Sequence, residues 1–206
     1  MREEEKMPDV YLTPVGTAES CYTEKRSRFL GFAHHVSGEE EAKEIIKGYR
    51  NKYHDARHVC FAYVLGPDAA LLRAGDDGEP AGTAGRPIQG VIRSRCLTDC
   101  LVVVARYFGG VKLGTPGLIA AYREATVQAL DGITVEERYV TVPLCFDVPY
   151  TEADLALRRV REAGAEICRH DYSGSGMTIT LAVKRSAAEA LREGLSKIHT
   201  LKLHTE

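Results

Sequence analysis

No apolar run in the 206-residue chain approaches the roughly 18 residues that a membrane-spanning helix needs. The first residues, MREEEKM, are acidic and carry no apolar stretch of the secretory kind, so a cytoplasmic protein without a signal peptide is the expectation. Charge of one sign is also lacking. Lys plus Arg number 27 against 29 Asp plus Glu, so any contact with nucleic acid must come from a local patch rather than a basic coat. The six cysteines include no CxxC pair, and several lie inside apolar runs such as VCFAYV and PLCFDV. They read as reduced, buried small hydrophobes rather than as a metal site or a disulfide framework. Internal repeats and low-complexity tracts are missing too. What is present is 44% apolar and 27% charged residues, the composition of a folded globular protein long enough for one or two domains.

The chain falls into two textures, and the expected boundary gives domains 1–136 and 137–206. DGITVEER (131–138) reads as the polar joint between them. Beyond it, Val140, Val142, Leu144, Phe146 and Val148 alternate as in a strand. A helix follows from Thr151, with Leu157, Val160 and Ala163 on one side. A hairpin comes next, 165–172 and 177–183, turning at SGSG. Ser186 and Glu189 form a capping box for a second helix, and a last strand lies near 201–203. The order β-α-β-β-α-β is that of a ferredoxin-like unit, a fold that hosts many functions and names none.

The first half is less regular. Strands are expected near 11–15, 29–36, 59–65 and 71–74. A helix should follow Ser37, with Glu40 completing a capping box. LVVVARYF (101–108) is a continuous β-branched run, hence a central strand buried on both faces. Thr115 and Pro116 suit the N-cap and first turn of a helix whose inward side carries Leu118, Tyr122, Ala125 and Ala129. A short helix interrupted near Pro87 is expected within 82–95. The whole is an α+β arrangement, helices layered on a mixed sheet.

Between residues 75 and 117 lie 9 of the 19 glycines, about twice an even share for 43 residues, and two charged segments sit among them. DDGEPAGTAG (76–85) sets Asp76, Asp77 and Glu79 before a glycine run. Its carboxylates suit a hard cation, its amides around Gly82 and Thr83 suit an anion, and a tight structural turn accounts for the same residues. RYFGGVKLGTPG (106–117) places Arg106 at the exit of the central strand and Lys112 before a helix start. With Arg86 they form a candidate anion-attracting cluster, and Arg106 pairing with the carboxylates of 76–79 is the structural alternative. In HDARHVCFAY, His58 adjoins the first glycine segment, but no HExxH glutamate accompanies its spacing to His54, so a metal site is not expected. Lys25, Arg26 and Arg28 form a basic edge able to touch phosphate or to keep an edge strand soluble. No nucleophile elbow or Cys-His pairing stands out.

KRSRFLGFA, DARHVCFAYVLG, GDDGEPAGTAGRPI, VVVARYFGGVKLG and GLIAAY stand in the order and spacing of the IMPACT family, which the chain resembles in its bacterial form. The resemblance implies a first domain similar to the second domain of a small-subunit ribosomal protein. It implies a ferredoxin-like second domain similar to the last domain of elongation factor G. It further implies a non-enzymatic role in translation control, with RNA, the ribosome or a protein partner bound through the glycine-rich face, and no cofactor. Asp76, Asp77, Glu79, Gly82, Thr83, Arg86, His58, Arg106 and Lys112 are the candidate binding residues. A small-molecule binder or enzyme built on Asp76, Asp77, Glu79, His58 and Arg106 is the alternative. The chain departs from the family pattern at Gly75 and Ala81, where serines are usual. It departs again at Pro116, Ala120 and Arg123, where glycine, arginine and glycine are usual.

Overall fold

The computed structural model describes residues 9–204, so the acidic MREEEKM segment lies outside the described residues. The chain divides into two compact units, Val10–Arg138 and a second that starts at Tyr139 and includes Asp9.

The first unit is built on a five-stranded sheet in the order β2(Thr17–Glu24), β3(Ser27–His35), β6(Cys100–Tyr107), β4(His58–Leu65) and β5(Leu71–Gly75). Every pairing in it is antiparallel, so the expected mixed sheet is corrected. A strand buried on both faces needs a helix layer on each side, not a parallel neighbour. β6 has both: Cys100, Val102 and Val104 pack toward α2(Gly85–Ser94) and α3(Gly114–Asp131). Leu101, Val103 and Ala105 pack toward α1(Glu39–Lys52). The period of two along β6 thus feeds two separate cores.

A two-stranded sheet joins β1(Val10–Val15) to β7(Thr134–Tyr139). β7 occupies the stretch expected to be a joint. Its residues are almost all exposed, so its strand character comes from pairing and not from a buried face that the sequence could advertise. β2 was equally unmarked, because TAESCYTE alternates only between exposed and half-buried positions. Lys25 and Arg26 form the β2–β3 turn, and Arg28 lies over the Tyr107 ring; the edge strand is β2, not the KRSRFLGFA strand.

In the second unit, β8(Thr141–Pro149), α4(Tyr150–Glu162), β9(Glu166–Tyr172), β10(Gly176–Lys184), α5(Arg185–Ser196) and β11(Lys202–Leu203) follow in chain order. They form an antiparallel sheet in the order β11-β8-β10-β9, which is the ferredoxin-like arrangement. Leu144, Phe146, Val148, Ile179, Leu181 and Val183 face α4 and α5. The alternate positions, Cys145, Asp147, Thr178 and Thr180 among them, form the opposite face.

Helix starts differ from the local capping boxes. The Ser37 amide and hydroxyl bond Glu41, not Glu40. The Ser186 amide donates to Asp9 at 2.8 Å instead of closing a box with Glu189. α3 begins at Gly114 rather than after Thr115, and α4 begins at Tyr150 with no side-chain cap. α2 runs uninterrupted, because Pro87 sits in its first turn, where no intrahelical N–H bond is lost. The cysteines are also more varied than expected. Cys60 and Cys100 are buried, Cys21, Cys96 and Cys168 are exposed, and Cys145 is half-buried on the sheet face away from the helices.

Candidate functional site

The two glycine-rich stretches meet. β6 delivers Arg106 to its end, and the turn after β5 delivers Glu79. The Arg106 Nη1 donates to Glu79 Oε1, with both side chains at least nine-tenths buried. Tyr122 of α3 donates its hydroxyl to the same carboxylate oxygen at 2.8 Å, and Cys60 Sγ lies 3.3 Å from that hydroxyl. Burial first, with the carboxylate and thiol beside it, pushes the Tyr122 phenol far above its ordinary range, so it stays a donor. His58 donates its Nδ1–H to the Asp77 carbonyl at 2.7 Å. A carbonyl only accepts, so this bond fixes the tautomer and leaves Nε2 facing Glu79 at 3.9 Å.

The first glycine stretch is closed on itself. The Asp76 carboxylate accepts from the amides of Gly82 (2.7 Å), Ala84 (3.1 Å) and Gly85 (2.8 Å) and so caps α2. The amide cradle around Gly82 therefore already holds an anion, the chain's own. Burial alone would raise the Asp76 pKa, but the three amide bonds and the Arg86 charge outweigh it and hold the carboxyl below its ordinary value. Asp77 accepts from the Val59 amide at 2.7 Å and from Arg50 at 3.2 Å. Thr83 is buried and its hydroxyl donates to the Pro80 carbonyl at 2.7 Å. Gly85 has no room for a side chain, since a Cβ there would lie 2.8 Å from the Gly75 nitrogen. Asp76, Asp77, Gly82 and Thr83 thus build the loop, and only Glu79 of this stretch faces inward to Arg106.

The second stretch is open. Arg57, His58, Glu79, Arg106, Phe108 and Lys112, with Leu113 to Thr115 at the start of α3, line a cleft of about 640 Å³. The Arg106 guanidinium lies between the Phe29 ring, 5.5 Å away, and the exposed Phe108 ring, 5.7 Å away. Its Nε is buried and has no hydrogen-bond partner among the described residues. Arg57 and Lys112 are exposed, and neither has a carboxylate partner among the described residues. α3 starts with no side-chain cap, so its first amides add positive potential to the cleft. Gly109 positions this loop: a Cβ there would lie 2.1 Å from the Arg26 carbonyl carbon, and the Gly109 amide bonds Ser27 Oγ.

Arg86 does not join Arg106 and Lys112. It stands exposed in the first turn of α2, its chain against Gly82, and its charge acts on Asp76. Four contributors, Arg57, Phe108, Tyr122 and Cys60, carry no site signal of their own in the sequence. Arg57 and Phe108 lie inside segments that were singled out, so their neighbours were the signal. Tyr122 was read as core, and its hydroxyl partner, like that of Cys60, is set by tertiary packing. Among the described residues no group of acidic, His and Cys side chains could hold a metal ion, and no helix is long and apolar enough to cross a membrane.

The units so far define a class: a two-domain α+β protein whose first unit carries a basic cleft on a buried ion pair, and whose second is ferredoxin-like. Residues 25–130 match the Impact N-terminal domain. The chain is 39% identical over 153 residues to the IMPACT family member YvyE of Bacillus subtilis, covering 74% of this chain and 70% of that one. It is 38% identical to the IMPACT family member YigZ of Escherichia coli, covering 79% and 80%. A crystal structure of a hypothetical protein superposes with a TM-score of 0.70 at 29% identity, covering 97% of this chain and 98% of that one. The chain belongs to the IMPACT family.

Proposed function

We infer that this protein is a non-enzymatic, translation-associated binding module that takes an RNA strand into the cleft above Arg106. The observation that carries the reading is the Arg106 guanidinium that lines the cleft, buried and with its Nε unmatched among the described residues. Arg57, Lys112 and the α3 amides supply positive charge around it, and Phe108 supplies an exposed ring. Cations beside an exposed aromatic face suit a polyanion whose bases stack. The RNA source is ribosomal on this reading, which rests on the family resemblance and the translation role it implies.

Titration of the full chain against a structured RNA oligonucleotide and against purified ribosomes, with salt varied, tests it. Binding should weaken steeply with salt, and Phe108→Ala should lose about 1–3 kcal/mol if one base stacks there. Absence of binding to either probe at low salt overturns the reading. A small-molecule reading of the same cleft has one observation in its favour, the His58 Nε2 facing Glu79 at 3.9 Å. A mononucleotide that binds while the oligonucleotide does not would support it instead. A protein partner retained from lysate after RNase treatment would replace both.

A further inference from the structure

The second unit holds a side-chain chain that the RNA reading does not use. On the sheet face away from α4 and α5, Thr178 donates to Asp147 Oδ1 at 2.6 Å, and Asp147 Oδ2 accepts from His204 Nε2 at 2.9 Å. His204 Nδ1 then lies 3.4 Å from Cys145 Sγ, and the Thr180 hydroxyl donates to the same sulfur at 3.5 Å. The His204 amide also donates to the Cys145 carbonyl at 2.9 Å, which fixes the imidazole against β8.

The order of these bonds has a chemical consequence. A carboxylate only accepts, so Nε2 carries a proton, and the neutral tautomer that this bond selects turns its Nδ1 lone pair to the thiol. Asp147 is held below the ordinary carboxylate value, first by the Thr178 hydroxyl and then by His204, so it remains a carboxylate. Transfer of the thiol proton to Nδ1 gives a thiolate facing an imidazolium, with the Thr180 hydroxyl as a further donor. The imidazolium is stabilised in turn by Asp147. This is the nucleophile, base and orienting group relation that activates a thiol. Cys145 and His204 border a cavity of about 480 Å³ with Thr180, Leu203 and Arg192, whose guanidinium adds positive charge. Lys202 on the same face also acts on Asp147. Across the sheet, β9 sets Asp171 opposite Thr178 and Arg169 opposite Thr180, and these two pair with each other at 2.8 Å.

We propose that Cys145 is an activated thiol that reacts with hydrogen peroxide, His204 serving as its proton acceptor and donor. The thiolate sulfur attacks one peroxide oxygen and the O–O bond breaks. The departing hydroxide takes the proton from His204 Nδ1 and leaves as water. Sulfur is oxidised to the sulfenic acid and peroxide is reduced, with atoms and charge balanced. Asp147 is a positioning residue, since it acts through His204.

The chain supplies its own controls, because Cys21, Cys96 and Cys168 are more exposed than Cys145. The full-length protein is pulsed with iodoacetamide at about pH 6.5, two units below an ordinary thiol pKa, and each cysteine peptide is quantified by mass spectrometry. Cys145 should label several-fold faster than the fastest of the three exposed thiols. His204→Ala and Asp147→Asn should each remove that advantage while far-ultraviolet circular dichroism stays unchanged; Thr178→Val, which loosens Asp147 alone, should reduce it in part. After peroxide, a sulfenic-acid trap should mark Cys145 first. Labelling no faster than the exposed thiols, an advantage that survives His204→Ala, or no trapped adduct at Cys145 overturns the proposal. None of these readouts involves the Arg106 cleft, so failure here leaves the RNA reading standing, and the reverse holds too.

Discussion

The stretches 76–85 and 106–117 share a composition, glycine interleaved with charge, and come to opposite ends. In the first, Asp76 finds three amides six to nine residues away, and Asp77 finds the Val59 amide. In the second, Arg106 has one carboxylate for its Nη1 and nothing for its Nε, and Lys112 has no carboxylate at all among the described residues. The difference is one of donors and acceptors. Glycine loops and helix starts expose N–H groups, so they satisfy acids locally. A cation in the same setting finds more donors, and its acceptors must come from elsewhere in the fold or from a ligand. An acidic glycine loop therefore closes, and a basic one stays open.

Glu79 is the exception that joins the two, and removing it should have the largest effect. Glu79→Ala leaves the Arg106 cation buried and the Tyr122 hydroxyl without its acceptor. Loss of one partner from a buried pair costs about 3–5 kcal/mol, read as a lower urea midpoint. Replacing both partners by apolar groups, Glu79→Leu with Arg106→Met, should recover much of that loss. A change below about 1 kcal/mol for Glu79→Ala would mean that the pair does not hold the stretches together.

Asp76→Ala is next. Loss of a helix cap costs about 0.5–2 kcal/mol, and the pH dependence identifies the cause. The folded-state pKa of Asp76 lies below the ordinary 3.8, so its contribution is fully present above that value. It is lost as pH falls through the lower folded value. Thermal unfolding of wild type and variant should differ at neutral pH and converge in strong acid. A difference that persists unchanged into strong acid would show that the carboxylate charge is not what closes the first loop.

How much of this was legible follows from how local each signal is. β4, β6 and β10 announce themselves because their buried faces leave alternating or continuous apolar runs within eight or nine residues. β2 and β7 carry no such mark, since pairing alone defines them. The local boxes at Ser37 and Ser186 point to helices correctly and to their caps incorrectly. The acceptor for the Ser186 amide is Asp9, 177 residues away, which no local pattern encodes. The same applies to the sites. DDGEP and RYFGG were visible as segments, yet which acid meets Arg106 depends on a turn that spends Asp76 and Asp77 on backbone amides. Cys145 and His204 are 59 residues apart and meet only because β11 pairs with β8.

Lys112→Ala should have the smallest effect on the fold and so sharpens the contrast most. Its ammonium lines the cleft and stands exposed, with no carboxylate partner among the described residues, and neutralising it removes no side-chain hydrogen bond or ion pair among them. The unfolding midpoint should stay where it is. If the open stretch meets phosphate, the slope of log affinity against log salt for the RNA oligonucleotide should fall by about 1, the release of roughly one counterion. Asp76→Ala, read in the same titration under conditions where it remains folded, should leave that slope unchanged, because Asp76 is spent on the loop itself. An unchanged slope for Lys112→Ala, or an equal loss for both variants, would erase the distinction between a stretch that closes on its own charge and one that keeps its charge for a partner.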